Sequence, residues 1–423
     1  MDTATPPARL TRDDRLGHPF LWLWGCFTSS SLADGVYQVA LPVAALQVGG
    51  GPTGVALVLA ASRAPWVLLS LHAGVLVDRA DRRRLLTAVT TTRVVLLLGL
   101  AGLLGAGIDA LGLLVVAAFV MGASETIFDT ALHSTTPRVT QVSELEWANG
   151  RLQATEMVAN QFVGPSLGGV LAGLALSCAF GSTAALYLAA LLALTRLRVP
   201  PMASSGPEQS IHEAVRAGCR ALVRDRTLFT YALGGGVVNC GFAAFYAALP
   251  VLALGPGPLG LTAARYGLLL AAPGVGGLVV GVLATPVLRR LGSRRTLLVA
   301  SAALAAGFAA PGVVPRTPYV AVGLVATGLV VLTNVATVSY RQRAVSDHLL
   351  GRVTAAYRLF AFGGLPLGSA LAGVLMGLGS PRVVFLVAGA LVLMAGCSMA
   401  LATKPAPPTG RRASGPLLER AAQ

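Results

Sequence analysis

Long apolar runs dominate this chain, and the ionisable side chains inside them are the residues that can do chemistry, because each is costly to hold in lipid. They are Asp34, Arg63, Arg93, Glu125, Asp129, Glu156 and Arg358. Ser30, Asp34 and Gln38 recur every four residues, as do Glu125, Asp129 and His133, and that spacing puts each trio on one face of a helix. Such stripes suit helices that line a wet path. Burial disfavours the charged form of a carboxyl and an adjacent Arg favours it. A carboxylate whose Arg partner or solvent access alternates can therefore load and release a proton. Asp34 and Glu125 are the first candidates for proton or cation sites, with Arg63 as modulator. Asp129 and Glu156, with Arg93, fit either the same coupling or a permanent structural network. His133 reads as a helix-end residue. Gln38, Asn160, Asn239, Asn334, Tyr246, Tyr357 and Arg358 are candidate substrate contacts, although buried amides serve equally as glue between helices.

Catalytic chemistry has little to stand on. No G-x-G-x-x-G follows a strand, no Walker sequence is present, and the five cysteines have neither CxxC nor Cys/His spacing. The chain reads as a non-enzyme that needs no metal or cofactor and draws on an ion gradient, by default a proton gradient.

The elements that position these residues follow from composition. Of 423 residues, 55% are hydrophobic and 12% are charged, where a soluble domain carries about 25% charged residues. Apolar runs of roughly 20 residues recur, the length a bilayer demands. Spans are expected near 20–47, 53–77, 85–106, 111–136, 148–174 and 177–196, then near 227–254, 263–288, 295–314, 317–340, 350–376 and 382–402. The expected fold is an all-α integral membrane protein of twelve transmembrane helices in two pseudo-symmetric six-helix lobes. Its parts are a cytoplasmic tail (1–19), a first lobe (20–197), a cytoplasmic linker with an amphipathic helix (198–226), a second lobe (227–402) and a cytoplasmic tail (403–423). A rise of about 1.5 Å per residue from the cytoplasmic ends puts Asp34, Arg63 and Glu125 roughly 20 Å deep, and Arg93, Asp129, Glu156 and Arg358 roughly 12 to 14 Å deep.

The net charge of +15 invites a nucleic-acid reading, but the basic residues cluster where inner loops are expected. Examples are Arg82 to Arg84, Arg289 and Arg290 with Arg294 and Arg295, and the linker arginines. That bias places both termini in the cytoplasm and excludes nucleic acid as the partner. Low Lys beside abundant Arg, Ala and Gly points to a high-GC bacterial genome, so the membrane in question is expected to be a bacterial cell membrane. The two halves are a duplication: Gly150, Arg151, Ala154 and Pro165 recur 201 positions later as Gly351, Arg352, Ala355 and Pro366.

Gly74, Asp78, Arg79, Arg82 and Arg83 resemble the G-x-x-x-D-R-x-G-R-R loop signature of the major facilitator superfamily. Asp81 stands where that signature has Gly. The resemblance implies a gating loop in which Asp78 helps lock the lobes, with Arg151 or Arg352 as partners. Gly164, Pro165, Gly168 and Gly169 resemble the G-P-x-x-G-G core of the superfamily's antiporter motif, with Asn160 in place of a preceding Gly. Pro and Gly there favour a kinked, closely packed helix at a lobe interface. The stretch around Pro137, Leu145, Ala148, Asn149 and Gly150 further resembles the branch of siderophore and macrolide exporters. Together these resemblances imply a monomeric secondary transporter that exports a drug, siderophore or secondary metabolite by alternating access with proton antiport. A proton symporter importing a nutrient is the alternative, and a membrane receptor or intramembrane enzyme a more distant one.

Overall fold

A computed structural model describes residues 17–69, 72–73, 76–77, 80–108, 110–141, 144–197, 211–255 and 257–403. The described residues are almost wholly helical, with one isolated bridge between Leu254 and Leu261. A helix satisfies its own backbone groups, which hydrocarbon requires of any spanning segment.

The helices follow the expected order to within a few residues. Span one is Gly17–Gln47, span two Gly51–Leu68, span three Arg82–Gly105 and span four Leu111–Val139. Span five occupies 145–174, and span six is Leu176–Arg196. The second half comprises span seven (Arg226–Ala253), eight (Ala263–Ala284), nine (Pro286–Val313), ten (Thr317–Ala344), eleven (Asp347–Leu378) and twelve (Pro381–Ala402). Nine of the described helices are long and apolar enough to cross a membrane; spans one, two and five complete the set. Leucines and valines such as Leu98, Leu192, Val282 and Leu378 face outward, as a lipid-facing surface requires. Near the start of the Pro286–Val313 stretch the helix breaks at Gly292, whose φ of 72° lies in the left-handed region that favours glycine.

Local chemistry sets the helix starts. Asp81, the departure from the loop signature, is the N-cap of span three: its carboxylate accepts from the Arg84 N–H at 2.8 Å. Asp225 does the same for span seven, accepting from the N–H groups of Thr227 (2.8 Å) and Leu228 (3.1 Å).

Packing repeats with the chain. Span one packs on five and six, three on six, and two on four; six spans later seven packs on eleven and twelve, nine on twelve, and eight on ten. Close crossings correspond too. A Cβ on Gly35 of span one would stand 2.8 Å from the Gly164 Cα of span five, and one on Gly236 of span seven 2.7 Å from the Phe360 carbonyl oxygen of span eleven. Two backbones in such contact leave no room for a side chain.

The lobes meet at the end remote from the chain termini. There span two packs on span eleven, where a Cβ on Gly373 would lie 3.0 Å from the Ala56 Cβ, and span five packs on the start of span eight. The linker helix Ile211–Arg224 docks on span eleven: Gly218 sits against the Arg352 carbonyl, and fully buried Leu222 joins Leu228 and Val353. Its apolar edge is thus covered by protein, with Val223 left exposed.

Candidate functional site

A cavity of about 300 Å³ lies between the lobes, and seven sequence candidates line it: Asp34, Gln38, Arg63, Glu125, Asp129, Glu156 and Asn160. Spans one and four deliver their residues through the four-residue stripes. Span five uses a different device. Its residues Glu156–Val163 form a π-helical stretch between the α-helices Leu145–Thr155 and Gly164–Leu174. Pro165, at the start of the following helix, has no N–H to continue the regular ladder. The expected kink is therefore a widened segment, and both Glu156 and Asn160 belong to it. Such segments are frequent at functional sites.

Behind this wall lies Arg93 of span three, fully buried. Its Nη1 is 3.9 Å from Asp34 Oδ1 and donates to Ser30 Oγ at 3.2 Å. The guanidinium stacks between the rings of Phe128 (4.9 Å) and Tyr187 (5.0 Å), and the Tyr187 hydroxyl donates to the same Asp34 oxygen. Glu125 and Asp129 are within electrostatic reach of Arg93. Residues of both expected depth tiers meet in this cluster, and the cation nearest Asp34 is Arg93, with Arg63 on the cavity wall. Counting residues along each helix takes no account of helix tilt or of the reach of a long side chain such as Arg.

The second half contributes differently from expectation. Asn239 donates its Nδ2 to the Ala361 carbonyl at 2.9 Å, tying span seven to span eleven. The Tyr357 hydroxyl donates to the Tyr231 carbonyl at 3.3 Å, and its ring carries the Arg341 guanidinium at 4.5 Å. Tyr246 packs on Phe242 and Phe245. Asn334 and Arg358 are exposed and stand outside the cavity wall. These five candidates lie outside the cavity wall, whose second-half residues are Phe362 and Leu365. Neither carried a signal, because an apolar residue facing a cavity looks in sequence like one facing lipid. Tyr37 and Trp66 also line the cavity; the position of Tyr37 beside Gln38 was the only hint.

The glycine motif packs on two sides. Gly164 and Gly168 press on Gly35 and Val36 of span one, whereas Gly169 meets Gly267 of span eight in the other lobe, its Cβ position 2.8 Å from the Gly267 Cα. It therefore links the helix bearing Asp34 to the lobe interface. Of the expected gating loop, Gly74, Asp78 and Arg79 lie outside the described residues. Arg82 donates to Ser134 Oγ at 3.0 Å, and Arg83 donates to the carbonyls of Leu194 (3.1 Å) and Thr195 (2.8 Å), tying span three to spans four and six. Arg151 is stacked between Trp24 (3.9 Å) and Trp147 (4.9 Å).

The profile of the transmembrane secretion effector family matches residues 16–415. The chain belongs to that family. It is thus a multi-pass membrane transporter of the major facilitator superfamily. The chain is 27% identical over 400 residues to the multidrug efflux pump Tap of Mycolicibacterium fortuitum, covering 89% of this chain and 94% of that one. It is 26% identical over 387 residues to an uncharacterised MFS-type transporter, y4rN, of Sinorhizobium fredii, covering 90% and 93%. Among solved structures, the nucleoside transporter NupG superposes with a TM-score of 0.76 at 11% identity, covering 91% of this chain and 99% of that one. A bacterial homologue of the iron transporter ferroportin, in an inward-facing state, superposes with 0.67 at 18% identity, covering 90% and 97%. At such identities these structures share the fold alone.

Proposed function

We propose that this transporter exports a small organic molecule by alternating access, exchanging it for protons that move inward. The observation that carries the reading is the gathering of four carboxylates, Asp34, Glu125, Asp129 and Glu156, around one inter-lobe cavity, with buried Arg93 against Asp34. Acids held at that depth in lipid are functional by default. Similarity to Tap over 89% of the chain supports outward transport.

With both termini cytoplasmic, as the basic loops require, the lobes are closed at the outer end and the cavity is loaded from the inside. While Asp34 is ionised, Arg93 and Tyr187 hold it. Once it takes up a proton, Arg93 loses its nearest counter-charge, and Glu125 and Asp129 become the alternative partners. That exchange of partners couples protonation to the relative position of spans one, three and four. Rocking of the lobes then presents the same carboxylates to the other face. The transporter works as a monomer in a bacterial plasma membrane, with the proton gradient as its energy source and no cofactor.

The deciding experiment compares solute accumulation in inside-out and right-side-out vesicles under an imposed pH gradient. Accumulation in inside-out vesicles with an acidic interior is expected. Accumulation confined to right-side-out vesicles would establish the importing symporter instead.

A further inference from the structure

The cavity wall is chemically lopsided, and the imbalance bears on what it can hold. Its first-half side carries four carboxylates against Arg63, with Arg93 buried behind Asp34. Fully ionised, the acids outnumber the two guanidinium groups, and a cleft lined by one sign of charge concentrates the opposite sign. The second-half side offers only apolar groups, Phe362 and Leu365. Trp66 and Phe362 face each other edge to face across the lobe boundary, with ring centroids 5.9 Å apart.

Two further atoms point to a ligand. Tyr37 lines the cavity with 8% of its surface exposed, and its hydroxyl has no hydrogen-bond partner. The indole N–H of Trp66, in the same wall, is likewise without one. Buried donors are normally satisfied, so each unpaired one calls for an explanation. An acceptor oxygen on a bound molecule would supply it.

We infer that the cavity selects a basic amphipathic molecule: a protonated or quaternary amine on an aromatic or branched apolar body, with an ether, carbonyl or hydroxyl oxygen nearby. The cationic nitrogen sits among Asp34, Glu125 and Glu156. The apolar body lies against Trp66, Phe362 and Leu365, where the indole face also favours a cation. The oxygen takes the hydrogen bonds of Tyr37 and Trp66. A volume of about 300 Å³ is at the compact end of ligand pockets, so a single-headed molecule is accommodated. Acidic solutes are repelled by the same wall. This assignment rests on reading the inter-lobe cavity as the transport site.

The test is equilibrium binding to the purified full chain in neutral detergent with two ions of the same shape and opposite charge, tetraphenylphosphonium and tetraphenylborate. The expected result is saturable phosphonium binding, with borate at least tenfold weaker, and at least a tenfold loss of phosphonium affinity in Glu125→Gln and Asp34→Asn. Should either variant fail to fold, Glu156→Gln on the π-helical stretch carries the same expectation. Equal or tighter borate binding, no saturable binding of either ion, or unchanged phosphonium affinity in the folded variants would overturn the assignment. Binding in detergent depends on neither direction nor gradient. Phosphonium binding without gradient-driven flux in vesicles would therefore overturn the exporter reading alone, and gradient-driven export without phosphonium binding would overturn the substrate class alone.

Discussion

Arg93 and Asp34 form a one-sided ion pair: the guanidinium is fully buried, the carboxylate 3.9 Å away keeps 23% of its surface exposed, and the two come from different helices of the same lobe. The cation is fixed by Ser30 and by the rings of Phe128 and Tyr187. The acid alone meets the cavity. In such a pair the partner that can exchange a proton with solvent is the carboxylate.

Removing the cation strands the acid. Arg93→Gln is expected to abolish transport and to destabilise the first lobe by about 3 kcal/mol, the lower end of the range for breaking a buried pair. Arg93→Lys, which keeps the charge without the planar stack, should retain part of both. Thermal melting in detergent and flux in proteoliposomes check the two effects.

Removing the acid uncouples transport from the gradient. Asp34→Asn should abolish accumulation driven by a pH difference, while solute exchange between equal pH values persists only at a raised half-saturating concentration, because the cavity has lost one of its acidic contacts. Gradient-driven accumulation in this variant equal to that of the parent would rule out Asp34 as the coupling site.

The closed end of the lobes can be fastened. With Ala56→Cys and Gly373→Cys, in a chain whose exposed Cys178 is replaced by Ser, the two Cβ positions start 3.0 Å apart, closer than the ~3.5 to 4.5 Å of a relaxed disulfide, so the bond closes once spans two and eleven part by a few tenths of an ångström. Oxidation should stop flux and a reducing agent should restore it. Full flux in a quantitatively cross-linked sample would contradict alternating access by lobe movement.

Glycines at the crossings should be intolerant in proportion to contact. Gly164→Ala puts a methyl against Gly35 and is expected to cost about 1 to 3 kcal/mol. Gly99→Ala has open space around it and should be close to neutral. Melting temperatures of the two variants make the comparison.

The cap at Asp81 makes a finer prediction. Asp81→Ala should cost about 1 kcal/mol, whereas Asp81→Gly, the residue of the superfamily signature, should cost only a few tenths. Equal melting temperatures for Asp81→Ala and the parent would show that the Arg84 N–H finds another partner.

Much of this molecule was legible before its structure. Span length and composition are imposed by the bilayer, so the helices fall where apolar runs do, and the four-residue stripes of spans one and four place Asp34, Gln38, Glu125 and Asp129 on one cavity. The repeat of Gly150, Arg151, Ala154 and Pro165 announces a duplication, and the packing pairs recur six spans later. Asn239 and Tyr357 bond carbonyls of neighbouring helices, and an amide or hydroxyl there has the same sequence signature whether it meets a solute or a neighbouring carbonyl.

The chain by itself therefore determined which segments enter the membrane and which faces of them are polar, since both are periodic along one dimension. Tertiary structure alone decided which of those faces meet. The Arg93 guanidinium and the Asp34 carboxylate were assigned to different depths, yet the packed helices bring them to 3.9 Å. The π-helical turn before Pro165 brings Glu156 and Asn160 into the same wall. Phe362 is distinguished from a lipid-facing residue only by the lobe opposite it, because contact across helices depends on crossing geometry and not on position in the chain.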